Sequence, residues 1–325
     1  MRVTIIGGTE FIGRRVVELL TARGDEVMVV HRGVTEPADL PPCQHVHVGR
    51  RNFANVADEV RAFRPDAILD GTASTAGDVA AVLPYLPDVP IVLLSSMDVY
   101  RVYELLSNFG DAPLPVPADE SAPLRQSRYP YRGRDLGEDD YDKLDVEPAY
   151  LARGAGVLRL AMIYGPRDPQ TREEFVLRRV RAGRDRIPIG SAATVFTRLH
   201  VDDAATAIVA ALDRPSAVSG EVLNVGESGS YSMRGWMRLI LQAAGQHAEL
   251  VAAPDDALPS DLRLTRTFSQ HFLVTSGKAM SVLDWHPRES AAAVISSVRW
   301  HLQNPPANGD ARDFAADDAA LARAI

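Results

Sequence analysis

The strongest fold signal in this 325-residue chain is the sequence VTIIGGTEFIG at residues 3–13. Its first four residues form a short β-branched run that ends at two glycines, and apolar residues then recur at helical spacing from Ile12 to Leu20. Gly24 is placed to end that helix, and a second apolar run follows at residues 27–30. The order strand, glycine turn, helix and strand predicts a βαβ unit. Its uninterrupted apolar strands favour a parallel sheet covered on both faces.

The same alternation continues along the first half of the chain. Apolar runs that predict four more strands lie at residues 46–48, 67–69, 91–94 and 157–160. Helices are predicted between them over residues 54–63, 75–86 and 135–152. Six strand signals in this order predict an α/β fold with a doubly wound, Rossmann-type parallel sheet over residues 1–165.

The alternation of strands and helices becomes less regular after residue 165. Short helices separated by glycine- and proline-bearing loops are predicted over residues 172–182, 203–213, 232–244 and 288–303. We interpret residues 166–303 as a smaller C-terminal α/β lobe that faces the substrate. Residues 304–325 are interpreted as a mobile tail with one docked helix at most.

Charge and composition narrow the function classes. The chain has 35 Lys and Arg against 43 Asp and Glu, a net charge of −8, which argues against a protein that chiefly neutralises a phosphate backbone. Cys43 is the single cysteine, which excludes an intramolecular disulfide and fits a reducing cytoplasm. No apolar run approaches the ~18 residues of a membrane span, and the N-terminus does not resemble an export signal. We therefore expect a cytoplasmic protein with a small-molecule substrate, no membrane contact and no nucleic-acid partner.

The glycine turn also predicts a dinucleotide site. Gly7 permits a tight turn, Gly13 lets the helix lie close to the sheet, and the helix N-terminus offers N–H groups to a pyrophosphate. Glu10 stands where the fingerprint has its middle glycine, and its carboxylate would repel a bound pyrophosphate. His31 and Arg32 end the second strand, where an arginine suits a 2′-phosphate, so we expect NADP, with NAD as second choice. The expected contacts are Gly7, Thr9, Glu10, Phe11, Ile12, Gly13, His31 and Arg32 on one side, and Gly71 and Thr72 on the other.

Later segments are landmarks of one family. They read SSMDVY at residues 95–100, LRLAMIYGPR at 158–167, HVDDAA at 200–205, LNVG at 223–226 and LDWHP at 283–287. With the glycine turn, they make the chain resemble an extended or atypical short-chain dehydrogenase/reductase of the NAD-dependent epimerase/dehydratase family. The resemblance covers residues 3–290. It implies that the helix at about 200–213 returns to the first domain, that the protein forms a homodimer, and that further cofactor contacts come from Ser95, Lys143 and Ile163.

The resemblance also assigns catalytic roles. In this family a serine or threonine holds the substrate oxygen, a tyrosine exchanges a proton with it, and a lysine binds the nicotinamide ribose. Motif position gives these roles to Ser96 and Lys143, but Asp139 stands where the tyrosine is expected, four residues before the lysine. Tyr141 would lie on a different face of a regular helix from Lys143, and Tyr131 lies in the preceding loop. Either tyrosine could carry the proton.

Two functions stay open on the sequence. The first is an NAD(P)-dependent oxidoreductase, epimerase or dehydratase that acts on a hydroxylated or sugar-like small molecule. Met162 and Phe196 stand where nucleotide-sugar enzymes of the family usually have asparagine and arginine, which weakens the case for a UDP-sugar. The alternative is a redox-inactive member that binds a dinucleotide or RNA, since a plant chloroplast branch with a similar glycine turn is described as RNA-binding. Ser96 and Lys143 favour the enzyme, and the departures in the glycine turn and at the tyrosine position favour the binding protein.

Two groups of side chains are interpreted as structural residues rather than as binding sites. The eight histidines show no metal-ligand spacing along the chain, so no metal is expected, and His45 and His47 are interpreted as partly exposed strand residues. The arginines at positions 178, 179, 181 and 184 are interpreted as a solvated face rather than as a contact for phosphate or RNA.

Overall fold

A seven-stranded parallel sheet forms the centre of the molecule in a computed structural model that describes residues 1–108, 110, 112–134, 138–306 and 313–324. The strands are β1 (Arg2–Ile6), β2 (Glu26–His31), β3 (Gln44–His47), β4 (Ala67–Asp70), β5 (Ile91–Ser96), β6 (Gly156–Leu160), β7 (Met162–Tyr164), β8 (Arg186–Ile189), β9 (Arg198–His200), β10 (Val222–Val225) and β11 (Glu249–Ala252). The order in the central sheet is β3-β2-β1-β4-β5-β6-β10. The predicted Rossmann-type fold is therefore confirmed.

The helices cover the sheet and build the rest of the molecule. They are α1 (Phe11–Ala22), α2 (Ala57–Phe63), α3 (Ala76–Val82), α4 (Arg101–Asn108), α5 (Lys143–Ala152), α6 (Glu174–Arg181), α7 (Val201–Asp213), α8 (Pro215–Val218), α9 (Met233–Ala243), α10 (Gly277–Leu283), α11 (Ser290–Gln303) and α12 (Ala315–Leu321). Helix α7 packs on α1 across a core that includes Val16, Leu20 and Ile208, and Arg15 pairs with Asp202 at 2.6 Å. The second half of the chain thus contributes a helix to the central sheet's cover.

The sheet also takes a strand from beyond residue 165. Strand β10 pairs in parallel with β6, with Leu223 opposite Leu158 and Val225 opposite Leu160. At this place a family landmark is present in the sequence but no strand is predicted, because the apolar run is short and is interrupted by the buried Asn224. The remaining strands form two small parallel pairs, β7 with β9 and β8 with β11.

Helix α5 is shorter than predicted. The periodicity suggested a helix over residues 135–152, whereas α5 begins at Lys143, and residues 135–137 lie outside the described part of the chain. The helix begins there because Asp142 has an extended backbone and its carboxylate caps the first turn by accepting from the amide of Leu144. The described residues 138–141 are therefore outside the helix.

The C-terminal segment ends in a docked helix. Asp317 in α12 is buried and pairs with Arg179 of α6 at 2.6 Å. Arg179 is itself fully buried and also pairs with Asp261. The interpretation of the arginine cluster as a solvated face is wrong for Arg179, since two carboxylates from distant parts of the chain neutralise it in the interior.

Candidate active site

A cleft of about 450 Å³ opens at the carboxyl ends of the central strands. Strand β1 lies between β2 and β4, so the strand order reverses at this point. Open α/β sheets bind ligands in the crevice outside such a reversal. The cleft is lined by the glycine turn, by His31 and Arg32, and by Gly71 and Thr72 on the opposite side.

The glycine turn leaves no space for side chains at two positions. Gly7 has a φ of +82°, and a Cβ there would lie 2.2 Å from Cγ2 of Thr72. A Cβ at Gly13 would lie 2.5 Å from the carbonyl oxygen of Gly7. The backbone therefore reaches the cleft directly, as close binding of a pyrophosphate requires.

Glu10 occupies the N-cap position of α1. Its side chain is exposed and makes no capping hydrogen bond, so the first N–H groups of the helix are left for a ligand. The next residue, Phe11, has a φ of +40°, an uncommon conformation for a side chain with a Cβ. The residues of the turn fit a dinucleotide, with the Glu10 carboxylate as an opposing charge.

Arg32 is placed to recognise an anion. It lines the cleft directly after β2, is exposed, and makes no hydrogen bond or ion pair with any residue that the structure describes. His31 is buried beside it, and its Nδ1 accepts from the amide of Gly33 at 3.2 Å. Of the two predicted residues, Arg32 is the one whose charge is free for a ligand.

Three predicted cofactor residues do not line this cleft: Ser95, Lys143 and Ile163. Ser95 is buried and donates to Oε1 of Glu147 at 2.6 Å, and that carboxylate pairs with the buried Arg159 at 2.7 Å. Ile163 is buried in the core. Ser95 is thus committed to an internal polar network, and Lys143 belongs to the second part of the site.

An ion pair in the floor of the cleft was missed at the sequence level. Asp70 ends β4 and is fully buried, and Arg50 pairs with it at 2.6 Å and donates to Oγ1 of Thr72 at 3.1 Å. Burial alone would raise the pKa of Asp70, but the Arg50 guanidinium outweighs it and lowers that pKa. The signal available in the sequence was a carboxylate that ends an apolar strand directly before Gly71.

The second part of the site is a cluster of hydroxyls around a buried carboxylate. Tyr141 donates to Oδ2 of Asp98 at 3.0 Å, and Tyr131 donates to the same oxygen at 2.9 Å. The Ser96 hydroxyl accepts from the Asp98 amide at 3.2 Å, and its side chain lowers the pKa of Tyr141 against the larger effects of burial and Asp98. Oδ1 of Asp98 has no partner among the described residues. Ser96 and both candidate tyrosines are therefore brought together, with Asp98 as a member that the sequence did not reveal.

Burial changes the acidity of this cluster. It raises the pKa of Asp98 above its ordinary value, against the lowering effect of hydrogen bonds from Tyr131 and Tyr141. Burial and the charge of Asp98 together raise the pKa of Tyr141 well above 10. Both tyrosines thus hold their protons, and a carboxylate that accepts from them lies next to the Ser96 hydroxyl.

Lys143 links the cluster to the cleft. Its ammonium nitrogen is buried, donates to the carbonyl oxygens of Ala73 at 2.5 Å and Leu94 at 3.0 Å, and lies 5.8 Å from the centre of the Tyr141 ring. Leu94 also lines the cleft. Burial lowers the pKa of Lys143. An ammonium group has three N–H donors, so one remains for a ligand.

Asp142 explains how Tyr141 reaches the cluster although it is two residues from Lys143. Burial would raise the pKa of the Asp142 carboxyl, but hydrogen bonds from Arg125 and Arg128 lower it to about 2. This anchored N-cap holds Tyr141 outside the helix, where helical spacing no longer separates it from Lys143. Asp139, at the expected tyrosine position, is exposed and accepts from the amide of Gly133 at 2.8 Å.

A larger cavity of about 750 Å³ lies in the C-terminal half of the chain. Its lining includes Met162, Phe196 and Trp236, together with Arg172 and Arg198. The Arg198 guanidinium lies 4.1 Å from the centre of the Trp236 ring, and its burial lowers its pKa to about 10. Met162 and Phe196, the two positions that depart from nucleotide-sugar enzymes, thus form part of one aromatic and apolar wall.

One family model matches a segment of the chain. The model of the NAD dependent epimerase/dehydratase family matches residues 144–226, from α5 to the end of β10. Over this segment the chain is similar to the NAD-dependent epimerase/dehydratase family. Among the residues that the structure describes, no helix is long and apolar enough to cross a membrane.

Two curated relatives extend the match over most of the chain. The chloroplast stem-loop binding protein of 41 kDa b from Arabidopsis thaliana is 26% identical over 88% of this chain and 75% of its own length. A 3-diazoavenalumate denitrifying reductase from Streptomyces sp is 28% identical over 88% of this chain and 96% of its own length. The relatives thus include both a named reductase and a named stem-loop binding protein.

Solved structures of the family share the fold. A dTDP-glucose 4,6-dehydratase from Bacillus anthracis in complex with NAD gives a TM-score of 0.70 at 17% identity, over 94% of this chain and 97% of that one. A UDP-glucose 4-epimerase from Bifidobacterium longum in complex with NAD⁺ and UDP gives 0.69 at 17% identity, over 94% and 99%. At this level of identity the likeness concerns the fold.

Proposed function

We propose that this protein is an NAD(P)-dependent oxidoreductase of the epimerase/dehydratase type that acts on a carbinol or carbonyl of a hydroxylated or sugar-like small molecule. The observation that carries the proposal is the convergence of Ser96, Tyr141, Asp98 and Lys143 beside a glycine-lined cleft. A protein that only bound a ligand would have no need of three hydroxyls around a buried, incompletely paired carboxylate.

The residues that line the cleft indicate which cofactor it would bind. The backbone of residues 7–13 would hold the pyrophosphate, and Arg32 would pair with a 2′-phosphate, so NADP is preferred over NAD. The third N–H of Lys143 would bind a ribose hydroxyl. When bound, the nicotinamide supplies or accepts the hydride at the reacting carbon.

The hydroxyl cluster would supply the proton that accompanies hydride transfer. Hydride transfer to a carbonyl leaves a charged oxygen unless a proton arrives with it. Tyr141 holds its proton in this structure, and its hydroxyl would act as the general acid by turning that proton from Asp98 to the substrate oxygen. Ser96 holds the substrate oxygen, and Tyr131 keeps Asp98 in place from the other side. In the reverse direction Tyr141 would take the carbinol proton while its own proton passes to the Asp98 carboxylate.

The substrate side is assigned to the larger cavity. Its volume of about 750 Å³ lies within the range of small-molecule sites. Its wall of Met162, Phe196 and Trp236 favours a substrate with a flat or apolar part, and Arg172 lies at the same cavity. We propose that residues 1–165, with α7 and β10, bind the dinucleotide and that the rest of residues 166–303 bind the substrate.

Cofactor binding followed by turnover tests this function. Calorimetric titration of purified protein should show NADP(H) binding, and a panel of carbonyl and hydroxyl compounds should then yield one that changes the nicotinamide absorbance. Ser96→Ala should lose turnover while it retains dinucleotide binding, and Ser121→Ala, which alters an exposed serine elsewhere, should retain both. If neither dinucleotide binds at millimolar concentration, the proposal is wrong.

One comparison favours a second function. The match to the chloroplast stem-loop binding protein extends over 88% of this chain, and Glu10 and Asp139 depart from the redox pattern. If no compound turns over while the protein binds an RNA stem-loop with affinity that falls steeply with salt, the protein is a binding member of the family.

A further inference from the structure

Strands β2 and β3 place three imidazoles on one face of the sheet. The two strands pair in parallel, with His31 opposite His47, and His45 lies two residues before His47 on the same face. The turn after β2 brings Glu36 back over these rings. Residues that show no metal-ligand spacing in the sequence therefore lie together in the fold.

The four side chains present their donor atoms to one point. Nε2 of His31 and Nδ1 of His45 are 2.9 Å apart, and Nε2 of His47 is 2.9 Å from Oε2 of Glu36. The Glu36 carboxylate is also 3.7 Å from His45 Nδ1 and 3.9 Å from His31 Nε2. One donor atom from each residue lies within 4.8 Å of all the others.

We propose that His31, Glu36, His45 and His47 bind one divalent transition-metal ion of the zinc type. Zinc–ligand bonds of about 2.0–2.1 Å in a tetrahedron separate the ligand atoms by roughly 3.3 Å. The observed separations of 2.9 to 3.9 Å lie on both sides of that value, so small side-chain rotations are enough. Three imidazoles and one carboxylate are the donors that such ions prefer, whereas Mg²⁺ and Ca²⁺ prefer oxygen alone.

The surroundings of the site fit an ion that enters from solvent. The side chains of His31, His45, Glu36 and His47 are 6%, 22%, 41% and 53% exposed, so the group is anchored at one end and open at the other. The other ring nitrogen of His45, Nε2, lies 3.4 Å from Sγ of Cys43, and this sulfur can accept a hydrogen bond from the Nε2–H group. Gly33 has a φ of +74°, and a Cβ there would lie 3.3 Å from the His47 ring, so the turn closes tightly over the site.

Metal binding requires one local change. In this structure Nδ1 of His31 accepts from the amide of Gly33, so the proton of that ring lies on Nε2, the atom that faces the metal position. The ion displaces that proton, the ring carries its proton on Nδ1 instead, and the contact with the Gly33 amide is lost. All four ligands come from the protein, so the bound ion has no open coordination position. The ion would tie the segment that carries Arg32 to β3.

Zinc binding to the full chain, purified without a histidine tag and stripped with a chelator, tests the proposal. Titration of Zn²⁺ against a chromophoric chelator should give one ion per chain, unaffected by millimolar Mg²⁺. His47→Ala should weaken binding at least about tenfold, and Glu36→Gln, which keeps the shape of an exposed side chain, serves where the first variant folds poorly. His247→Ala removes an exposed histidine elsewhere and should bind as the parent does.

Co²⁺ provides a second readout. The ion should give the visible absorption bands of a tetrahedral nitrogen and oxygen site in the parent protein, and Glu36→Gln should shift them. Binding of less than one Zn²⁺ per chain, or equal Zn²⁺ affinity in the parent and in both cluster variants, overturns the proposal. These measurements need neither dinucleotide nor substrate, so their outcome is separate from that of the proposed enzyme.

Discussion

Tyr141 and Asp98 share one hydrogen bond of 3.0 Å in which the phenol donates and the buried carboxylate accepts. Burial raises the pKa of each group, and the charge of Asp98 raises the pKa of Tyr141 further. The pair therefore keeps a proton available beside Ser96. This arrangement differs from a tyrosine activated by a lysine alone, because the group next to the phenol is an anion. At neutral pH Tyr141 therefore carries the proton that reduction of a carbonyl requires, although its raised pKa makes it a weaker acid than a tyrosine activated by a lysine alone.

Tyr141→Phe should reduce kcat by about 100-fold or more, because the substituted ring cannot transfer a proton. Tyr131→Phe is the matched control, because it removes a second hydroxyl that donates to the same Asp98 oxygen but comes from the loop before α5. We expect a smaller loss there. The measurement is steady-state kinetics with the substrate found in the compound panel. A larger loss in Tyr131→Phe would transfer the proton-carrying role to the loop tyrosine, and full activity in both would exclude this mechanism.

Glu10→Gln should tighten dinucleotide binding about two- to fivefold. A charge at a helix N-terminus is worth about 0.3–1 kcal/mol, and here the exposed carboxylate at the N-cap opposes the charge of the pyrophosphate. Glu59→Gln removes one negative charge from the exposed side of α2 and controls for net charge. Isothermal titration at low salt measures the difference. Equal affinities of the two variants would show that the Glu10 carboxylate turns away from the bound cofactor.

Arg32→Ala should lower NADP affinity by about 10- to 100-fold and leave NAD affinity nearly unchanged. A charge-assisted hydrogen-bonded pair with a phosphate contributes about 1.5–3 kcal/mol, and Arg32 has no carboxylate partner among the described residues. Arg238→Ala, on the exposed side of α9, gives the same change in net charge. An unchanged NADP to NAD ratio in Arg32→Ala would remove the basis for the NADP preference.

The sequence predicted the parts of this molecule that depend on local pattern. The turn at residues 3–13 and the six apolar strands follow from side-chain periodicity and from positions that only glycine fits. The position of Tyr141 could not be predicted in this way, because it depends on where α5 begins. Asp142 sets that start as the N-cap, and hydrogen bonds from Arg125 and Arg128 hold it there. Asp98 meets Tyr131 and Tyr141 from segments that are distant in the chain, and the histidine cluster depends on the register between β2 and β3. The homodimer and the cytoplasmic location stay predictions.

The stability of the fold should fall as the pH drops from 6.5 towards 4, and His200 should account for part of that loss. Burial lowers the pKa of His200 to about 4, from an ordinary value of 6.5. Between these values the unfolded chain takes up a proton that the folded chain does not, so falling pH favours unfolding. The difference corresponds to at most about 3 kcal/mol. Glu173 acts in the opposite direction, since burial raises its pKa to about 7 and its contribution therefore grows as the pH falls from 7.

His200→Asn separates the two effects. An asparagine can still cap α7, where Nδ1 of His200 accepts from the amide of Asp202, but it does not titrate. Urea unfolding at pH 7, 6, 5 and 4.5 should give a free energy of unfolding that falls less steeply in the variant than in the parent. If the two proteins show parallel pH profiles, His200 does not titrate differently in the folded and unfolded chains, and the acid sensitivity originates elsewhere.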